Sequence, residues 1–137
     1  MDDHELITLF RKNGYKVTTQ RLAIYKFIST RKDHPTADQI YQELKTDYPT
    51  ISLGTIYKTL HTLKELGLVQ ELGFDVGSIR YDPDMEVHIN LICEKCEKIT
   101  DYKDENLNRV WNSIINNLNI EPLGQRIDLY YTCDDCN

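Results

Sequence analysis

The chain has 137 residues and a formal net charge of −6, which fits one domain or two small ones and argues against nonspecific nucleic-acid binding. It contains no apolar run long enough to cross a bilayer. Its acidic start, MDDHELITLF, also lacks the basic and then apolar order of a secretory signal. We therefore expect a cytoplasmic protein that does not associate with a membrane.

The charge is unevenly distributed along the chain. Residues 1–80 contain 11 Lys and Arg against 10 Asp and Glu, whereas residues 81–137 contain 5 against 12. This asymmetry indicates two units with different tasks. The nearly neutral first part could bind DNA if its basic residues lie on one face.

Three helical patterns come first. They cover residues 3–13, the stretch TTQRLAIYKFIST with Thr18 or Thr19 as N-cap, and HPTADQIYQELKTDYP, which starts at Pro35 and Thr36 and ends by Pro49. Apolar residues recur in each at the spacing of one helix face. The residues expected to face inward are Leu6, Ile7, Phe10, Leu22, Ile24, Tyr25, Ile28, Ile40, Tyr41 and Leu44.

A fourth helix is predicted in SLGTIYKTLHTLKELGLV, with Ser52 as cap and Gly67 as stop. Two short strand patterns follow, LVQELGF and SIRYDP, around a DVG turn. This order of helices and a hairpin is typical of a winged helix-turn-helix. The fourth helix should bury Ile56, Leu60, Leu63 and Leu66, and expose Thr55, Tyr57, Lys58, His61 and Thr62.

The exposed face of the fourth helix has the properties of a recognition helix, which needs a buried face and polar residues that reach base edges. The start of the second helix would grip the DNA backbone. The candidate DNA contacts are Lys16, Thr19, Arg21, Ser52, Thr55, Tyr57, Lys58 and His61. An ordinary solvated helix face, or a winged helix that binds protein, would carry the same pattern.

The pattern changes after Pro83. HINLIC, KITDYK and RIDLYYTC read as strands, and ENLNRVWNSIINNL reads as a helix. We expect an α+β protein with a winged-helix domain at 1–82 and a small α/β domain at 83–137. The helix should contribute Leu107, Val110, Trp111, Ile114 and Leu118 to a core.

The four cysteines form two pairs, Cys93-x-x-Cys96 and Cys133-x-x-Cys136. Two such pairs supply the four thiolates of a tetrahedral structural zinc site, which would tie the end of the chain to its middle. A redox dithiol or two surface disulfides are the alternatives.

Several separated motifs together resemble the ferric uptake regulator (Fur) family: KVTTQRLAIY, HPTADQIY, SLGTIYKTLHTLKELGLV, RYD, HINLICEKCEKITD and CDDC. The resemblance implies a homodimeric, metal-responsive repressor that binds a double-stranded DNA operator. It implies that Tyr57 and Lys58 contact DNA, that Lys16 reaches the minor groove, and that the cysteines hold structural Zn(II). The second domain would then form the dimer.

The resemblance also implies a second, regulatory metal site. Its ligands would be His34, Asp82, His88, Asn90 and Asp101. Taken singly, His34 could cap a helix and Asp82 could pair with Arg80. Asn90 stands where the family usually has a His, so it could bind through oxygen, stay out of the site, or mark a site that no longer senses.

Asp at both 82 and 101 resembles the peroxide-sensing branch of the family, in which bound Fe(II) reacts with hydrogen peroxide and a ligand His, here His34 or His88, is oxidised. Fe(II) or Mn(II) is therefore the expected regulatory metal. The alternatives are an iron, manganese or zinc uptake regulator that ignores peroxide, and a zinc-stabilised protein-interaction adaptor. Two His and two Asp could also hold a catalytic metal, but no separate general base is evident and no enzyme is expected.

Overall fold

The computed structural model describes residues 1–73 and 79–137. The chain divides into two compact units, Met1–Met85 and Glu86–Asn137, and each is described by itself. The assignment of separate functions to 1–82 and 83–137 stays a prediction. Mixed helices and small sheets agree with the expected α+β class.

The first unit contains the predicted helices: α1 (Asp3–Lys12), α2 (Thr19–Ser29), α3 (Ala37–Leu44) and α4 (Leu53–Glu65). Each begins after a residue whose side-chain oxygen accepts a backbone N–H three positions further on; these caps are Asp2, Thr18, Thr36 and Ser52. Such caps satisfy amide groups that have no partner within the helix. The N-cap of α2 is therefore Thr18.

Two short strands, β1 (Gln70–Leu72) and β2 (Arg80–Asp82), pair antiparallel, with Glu71 opposite Tyr81. The strands of the predicted hairpin are thus confirmed, while its DVG turn lies outside the described residues. The second strand also contacts the segment before α3: the Tyr81 N–H donates to the Pro35 carbonyl over 3.0 Å. This contact brings together segments that are distant in the sequence.

The core of the first unit is formed by the apolar faces of its helices. Most residues predicted to face inward are buried: Leu6, Phe10, Ile24, Ile28, Ile40, Leu44, Ile56, Leu60 and Leu63. Four others are partly buried against this core: Leu22, Tyr25, Tyr41 and Leu66. Ile7, which was also predicted to face inward, is only partly buried. The prediction that Thr62 is exposed was wrong, because its hydroxyl donates to the Lys58 carbonyl and the side chain is therefore buried without losing a hydrogen bond.

The second unit contains β3 (Ile89–Cys93), β4 (Ile99–Tyr102), α5 (Glu105–Leu118), β5 (Ile127–Tyr131) and a 3-10 turn at Asp134–Cys136. Its sheet has the order β4-β3-β5, with β3 antiparallel to β4 and parallel to β5. The strand and helix predictions for this part of the chain are confirmed.

The prediction that α5 contributes its apolar residues to a core was wrong for a single chain. No residue of α5, all of which is described, is buried, and Val110, Ile114 and Leu118 are 53%, 45% and 53% exposed. Leu107 and Trp111 are only partly buried. The apolar stripe predicted an amphipathic helix, but a stripe does not reveal whether its own chain or a partner covers it.

Among the described helices, none has the length and apolar character that a membrane span requires.

Candidate metal centres and nucleic-acid interface

The four cysteines converge at one end of the second unit's sheet. Cys93 ends β3, Cys133 lies just after β5, and these neighbouring strands are parallel, so both residues reach the same edge. Cys96 follows β3 and Cys136 ends the 3-10 turn. Their Sγ atoms all lie within 4.8 Å of one another.

None of the four cysteines is in a disulfide, so the two-disulfide alternative has no support in this structure. The Cys133 N–H donates to the Cys93 sulfur over 3.4 Å, and this bond and a second from Cys96 lower the pKa of Cys93 to about 6. Hydrogen bonding with Cys133 and then Cys96 raises the pKa of Cys136 to about 12. Crowding of this kind favours a divalent cation that neutralises the thiolates, and four thiolates suit tetrahedral zinc.

In the first unit, His34 and Asp82 are buried side by side. The imidazole is 1% exposed, and its Nε2 lies 3.5 Å from Asp82 Oδ2. Asp82 Oδ1 accepts the Asp84 N–H over 2.9 Å. The alternative that His34 caps α3 was wrong, because Thr36 is the cap.

The backbone of His34 is held in a left-handed conformation, with φ of 52°. Such a conformation is uncommon for a residue with a side chain and persists only where its surroundings enforce it. Here Arg80 provides that support: its Nε donates to the His34 carbonyl over 2.6 Å and its Nη2 to the Asp33 carbonyl over 3.2 Å. The strand that carries Asp82 therefore also fixes His34.

In the second unit, three further predicted ligands cluster. His88 Nε2 lies 3.1 Å from Asn90 Oδ1 and 3.7 Å from Asp101 Oδ1. His88 Nδ1 lies 2.7 Å from the Glu86 carbonyl, which can only accept, so Nδ1 carries a proton. The neutral tautomer with this proton presents the lone pair of Nε2 toward Asn90 Oδ1 and Asp101 Oδ1. A bound cation would stabilise this arrangement.

The structure thus places the predicted regulatory ligands in two clusters: His34 with Asp82 in the first unit, and His88 with Asn90 and Asp101 in the second. Sequence reasoning missed Asp128, whose Oδ1 accepts a hydrogen bond from Asn90 Nδ2 over 3.1 Å. Only the parallel register of β3 and β5, which makes Asn90 and Asp128 partners, reveals it.

Five of the candidate DNA contacts line one cleft of about 530 Å³ in the first unit, together with Thr18, Gln20 and Thr59; these five are Lys16, Thr19, Arg21, Thr55 and Lys58. The cleft is formed by the start of α2 and one side of α4. Arg21 Nη1 also donates to the Lys16 carbonyl over 2.7 Å. Arg21 therefore positions the segment that precedes α2 as well as contributing charge.

The remaining candidates do not line the cleft: Tyr57 and His61 lie on α4, and Ser52 is its N-cap. Tyr57 is 49% exposed, and His61 Nε2 lies 4.0 Å from Glu65. Ser52 accepts the Thr55 N–H over 3.1 Å, which caps the helix. Ser52 therefore has a structural role that is independent of any nucleic acid.

A winged arrangement of helices and hairpin, followed by a unit with a four-thiolate cluster and a histidine–carboxylate cluster, defines a metal-dependent regulator. The family model of the ferric uptake regulator family matches residues 12–130, and the chain belongs to this family. Among curated proteins, it is 39% identical to the peroxide-responsive repressor PerR of Staphylococcus saprophyticus, over 98% of this chain and 93% of that protein.

Solved structures agree with this assignment. The fold is similar to that of the ferric uptake regulator from Pseudomonas aeruginosa with manganese, with a TM-score of 0.78, 24% identity and coverage of 98% of this chain and 99% of the other. PerR from Streptococcus pyogenes, described in a study of peroxide sensing and gene regulation, is similar with a TM-score of 0.54 and 28% identity, over 97% and 91% of the two chains.

Proposed function

We propose that the protein is a metal-dependent transcriptional repressor that binds a double-stranded DNA operator in the cytoplasm and releases it in response to peroxide. The observation that carries this proposal is the pair of buried histidine–carboxylate clusters, in a chain 39% identical to a peroxide-responsive repressor. The family consists of transcriptional regulators, and the proposal includes no catalytic turnover.

The regulatory ligands act as one set in this proposal. His34 and Asp82 from the first unit, and His88, Asn90 and Asp101 from the second, would bind one Fe(II) or Mn(II) ion. Imidazole nitrogens and carboxylate or amide oxygens are suitable ligands for either metal. Because both units would contribute ligands, a bound metal ion would restrain the orientation of one unit relative to the other. Metal binding would then shift the population toward the DNA-binding state.

Peroxide sensitivity follows from the buried imidazoles. Ferrous iron, when bound there, would activate hydrogen peroxide beside His34 and His88, so that one peroxide oxygen adds to a ring carbon and the other leaves as water. The two electrons that reduce the peroxide come from the ring, and the oxidised ring would be a weaker nitrogen ligand, which would weaken metal binding and therefore DNA binding. A second candidate is an uptake regulator that responds only to metal supply. Asn90 favours it to the extent that an amide at this position leaves the site with one imidazole fewer that peroxide could oxidise.

We expect the iron-loaded protein to lose DNA affinity when treated with peroxide, while the manganese-loaded protein keeps it. The probe is a duplex selected from a random library by the manganese-loaded protein, and binding is measured by fluorescence anisotropy. Peptide mass analysis should find one added oxygen on peptides containing His34 or His88, with the exposed His61 as internal control.

Two other results would point elsewhere. Release of DNA on metal removal, but no response to peroxide, would support the uptake regulator. Failure to select any duplex would support the adaptor.

We propose that the cleft lined by Lys16, Arg21 and Lys58 contacts the DNA backbone, because cations that flank a helix can neutralise phosphates on either side of a groove. The exposed Tyr57, which lies beside Lys58 on α4, would reach bases. Thr19, Ser52, Thr55 and His61 complete the proposed DNA-contacting set.

Replacing Lys58 with Ala should weaken DNA binding by about 1–3 kcal/mol. The number of counterions released on binding, measured from the salt dependence of the affinity, should fall by about one. Lys32, an exposed cation outside the cleft, is the matched control. Anisotropy titrations at several salt concentrations measure both quantities. Equal behaviour of the Lys58→Ala and Lys32→Ala variants would contradict a role for the cleft.

We propose a homodimer formed through the second unit. Val110, Ile114 and Leu118 form an exposed apolar stripe on α5, and β5 adds Leu129 and Tyr130 as exposed apolar residues. Exposed apolar residues concentrated in this way are typical of a protein interface. The dimer would present two copies of α4 to a two-fold symmetric operator.

A charge in the α5 stripe should break this dimer. We expect Ile114→Glu to sediment as a monomer at concentrations at which the unchanged chain is dimeric, because burying an unpaired carboxylate is costly. The neighbouring Ser113→Glu, which adds the same charge to an exposed position, should remain dimeric. If the Ile114→Glu variant remained dimeric, the dimer interface would not include the α5 stripe.

We propose that the four cysteines hold structural Zn(II). The purified protein should contain about one zinc ion per chain that survives mild chelation. Cys133→Ser should lose this ion and unfold at a lower temperature, whereas Thr132→Ala beside it should keep both the ion and the unfolding temperature. Elemental analysis and thermal unfolding measure these outcomes, and a zinc-free variant with unchanged stability would contradict the structural role.

A further inference from the structure

Asn90 lies in the middle of a row of polar side chains that crosses the second unit's sheet. In the antiparallel register of β3 and β4 its partner is Asp101, and in the parallel register of β3 and β5 its partner is Asp128. A carboxylate therefore lies on each side of the amide. Asn90 is 1% exposed, so solvent cannot determine how the amide is oriented.

The contacts of Asn90 fix the orientation of its amide. Its Nδ2 donates to Asp128 Oδ1 over 3.1 Å, and its Oδ1 lies 3.1 Å from His88 Nε2. A carboxylate can only accept hydrogen bonds, so the amide nitrogen must face Asp128. The amide oxygen then faces His88.

Asp128 is itself held in place by Arg126. The Arg126 Nε donates to Asp128 Oδ1 over 3.2 Å, and Nη2 lies 2.7 Å from Oδ2. This two-point contact holds the carboxylate in one orientation. Rotation of the Asn90 amide would place its oxygen against that carboxylate, so the reversed orientation is strongly disfavoured.

We propose that Asp128, held by Arg126, is a positioning residue that makes Asn90 an oxygen ligand of the regulatory cation. The inference rests on the proposed function, which supplies a divalent cation at His88 and Asp101. It explains how an amide at position 90 presents its oxygen, and not its nitrogen, to the cation. A ligand set enriched in oxygen is better suited to manganese or ferrous iron than to softer metals.

The test measures Mn²⁺ binding to the zinc-replete full-length protein, from the electron paramagnetic resonance signal of free Mn²⁺. Four proteins form a cycle: the unchanged chain, Asp128→Ala, Asn90→Ala and the double variant. Loss of an outer partner of a metal ligand typically weakens binding about 10–100-fold. We expect Asp128→Ala to show such a loss, and the double variant to bind no more weakly than Asn90→Ala.

This non-additivity distinguishes positioning from a general effect of charge, because Asp128 has nothing to orient once the amide is gone. Glu121→Ala, which removes one exposed carboxylate of the same unit, should bind Mn²⁺ like the unchanged chain. If Asp128→Ala does not fold, Asp128→Asn replaces it. An amide at 128 can accept or donate, so the orientation of Asn90 is no longer enforced and a smaller, several-fold loss is expected.

Unchanged Mn²⁺ affinity in the Asp128 variant, with normal binding by the unchanged chain, would overturn this inference and leave the proposed function intact. The inference would also be overturned if Asp128→Ala weakened Mn²⁺ binding by the same factor with Asn or Ala at position 90. Asp128 would then act directly on the ion. Absence of any exchangeable Mn²⁺ in the unchanged chain would overturn both.

Discussion

Burial of imidazole rings beside carboxylate oxygens is the constraint on which the rest of this structure depends. His34 and Asp82 are both almost fully inaccessible, and so are His88 and Asn90. Buried polar groups are costly unless each is matched by a partner of the opposite character. An imidazole nitrogen and an oxygen that lie 3.1–3.7 Å apart are suitable ligands for one shared cation. We propose that a bound cation stabilises a site built in this way and that loss of the cation is the signal.

Contacts between segments distant in sequence build both clusters. In the first unit, β2 contacts the residues before α3, and Arg80 supports the left-handed His34 while Asp82 lies two residues away on the same strand. In the second unit, β3 lies between two partner strands, which place a carboxylate on either side of Asn90. The same parallel pairing of β3 and β5 brings the cysteine pairs to one edge. One sheet therefore organises both the proposed structural metal site and the second unit's ligands of the proposed regulatory site.

Local chemistry explains which features could be predicted from the sequence. The Ser52 cap and the Cys-x-x-Cys pairs have short-range signatures, and these predictions agree with the structure. The exposed stripe of α5 could not be distinguished from a core face, because periodicity does not reveal what covers it. The role of Asp128 depends on strand register, which the alternation of apolar residues does not specify between distant strands.

The most direct test of this account is to determine which residues bind the exchangeable ion. A crystal structure of the Mn²⁺-loaded, zinc-replete protein, with anomalous scattering used to identify manganese, would provide the answer. We expect one manganese ion bound by His34 and His88 together, apart from the proposed zinc at the cysteines. Manganese bound to only one of these histidines, or absent from both, would contradict the claim that a shared cation controls DNA binding.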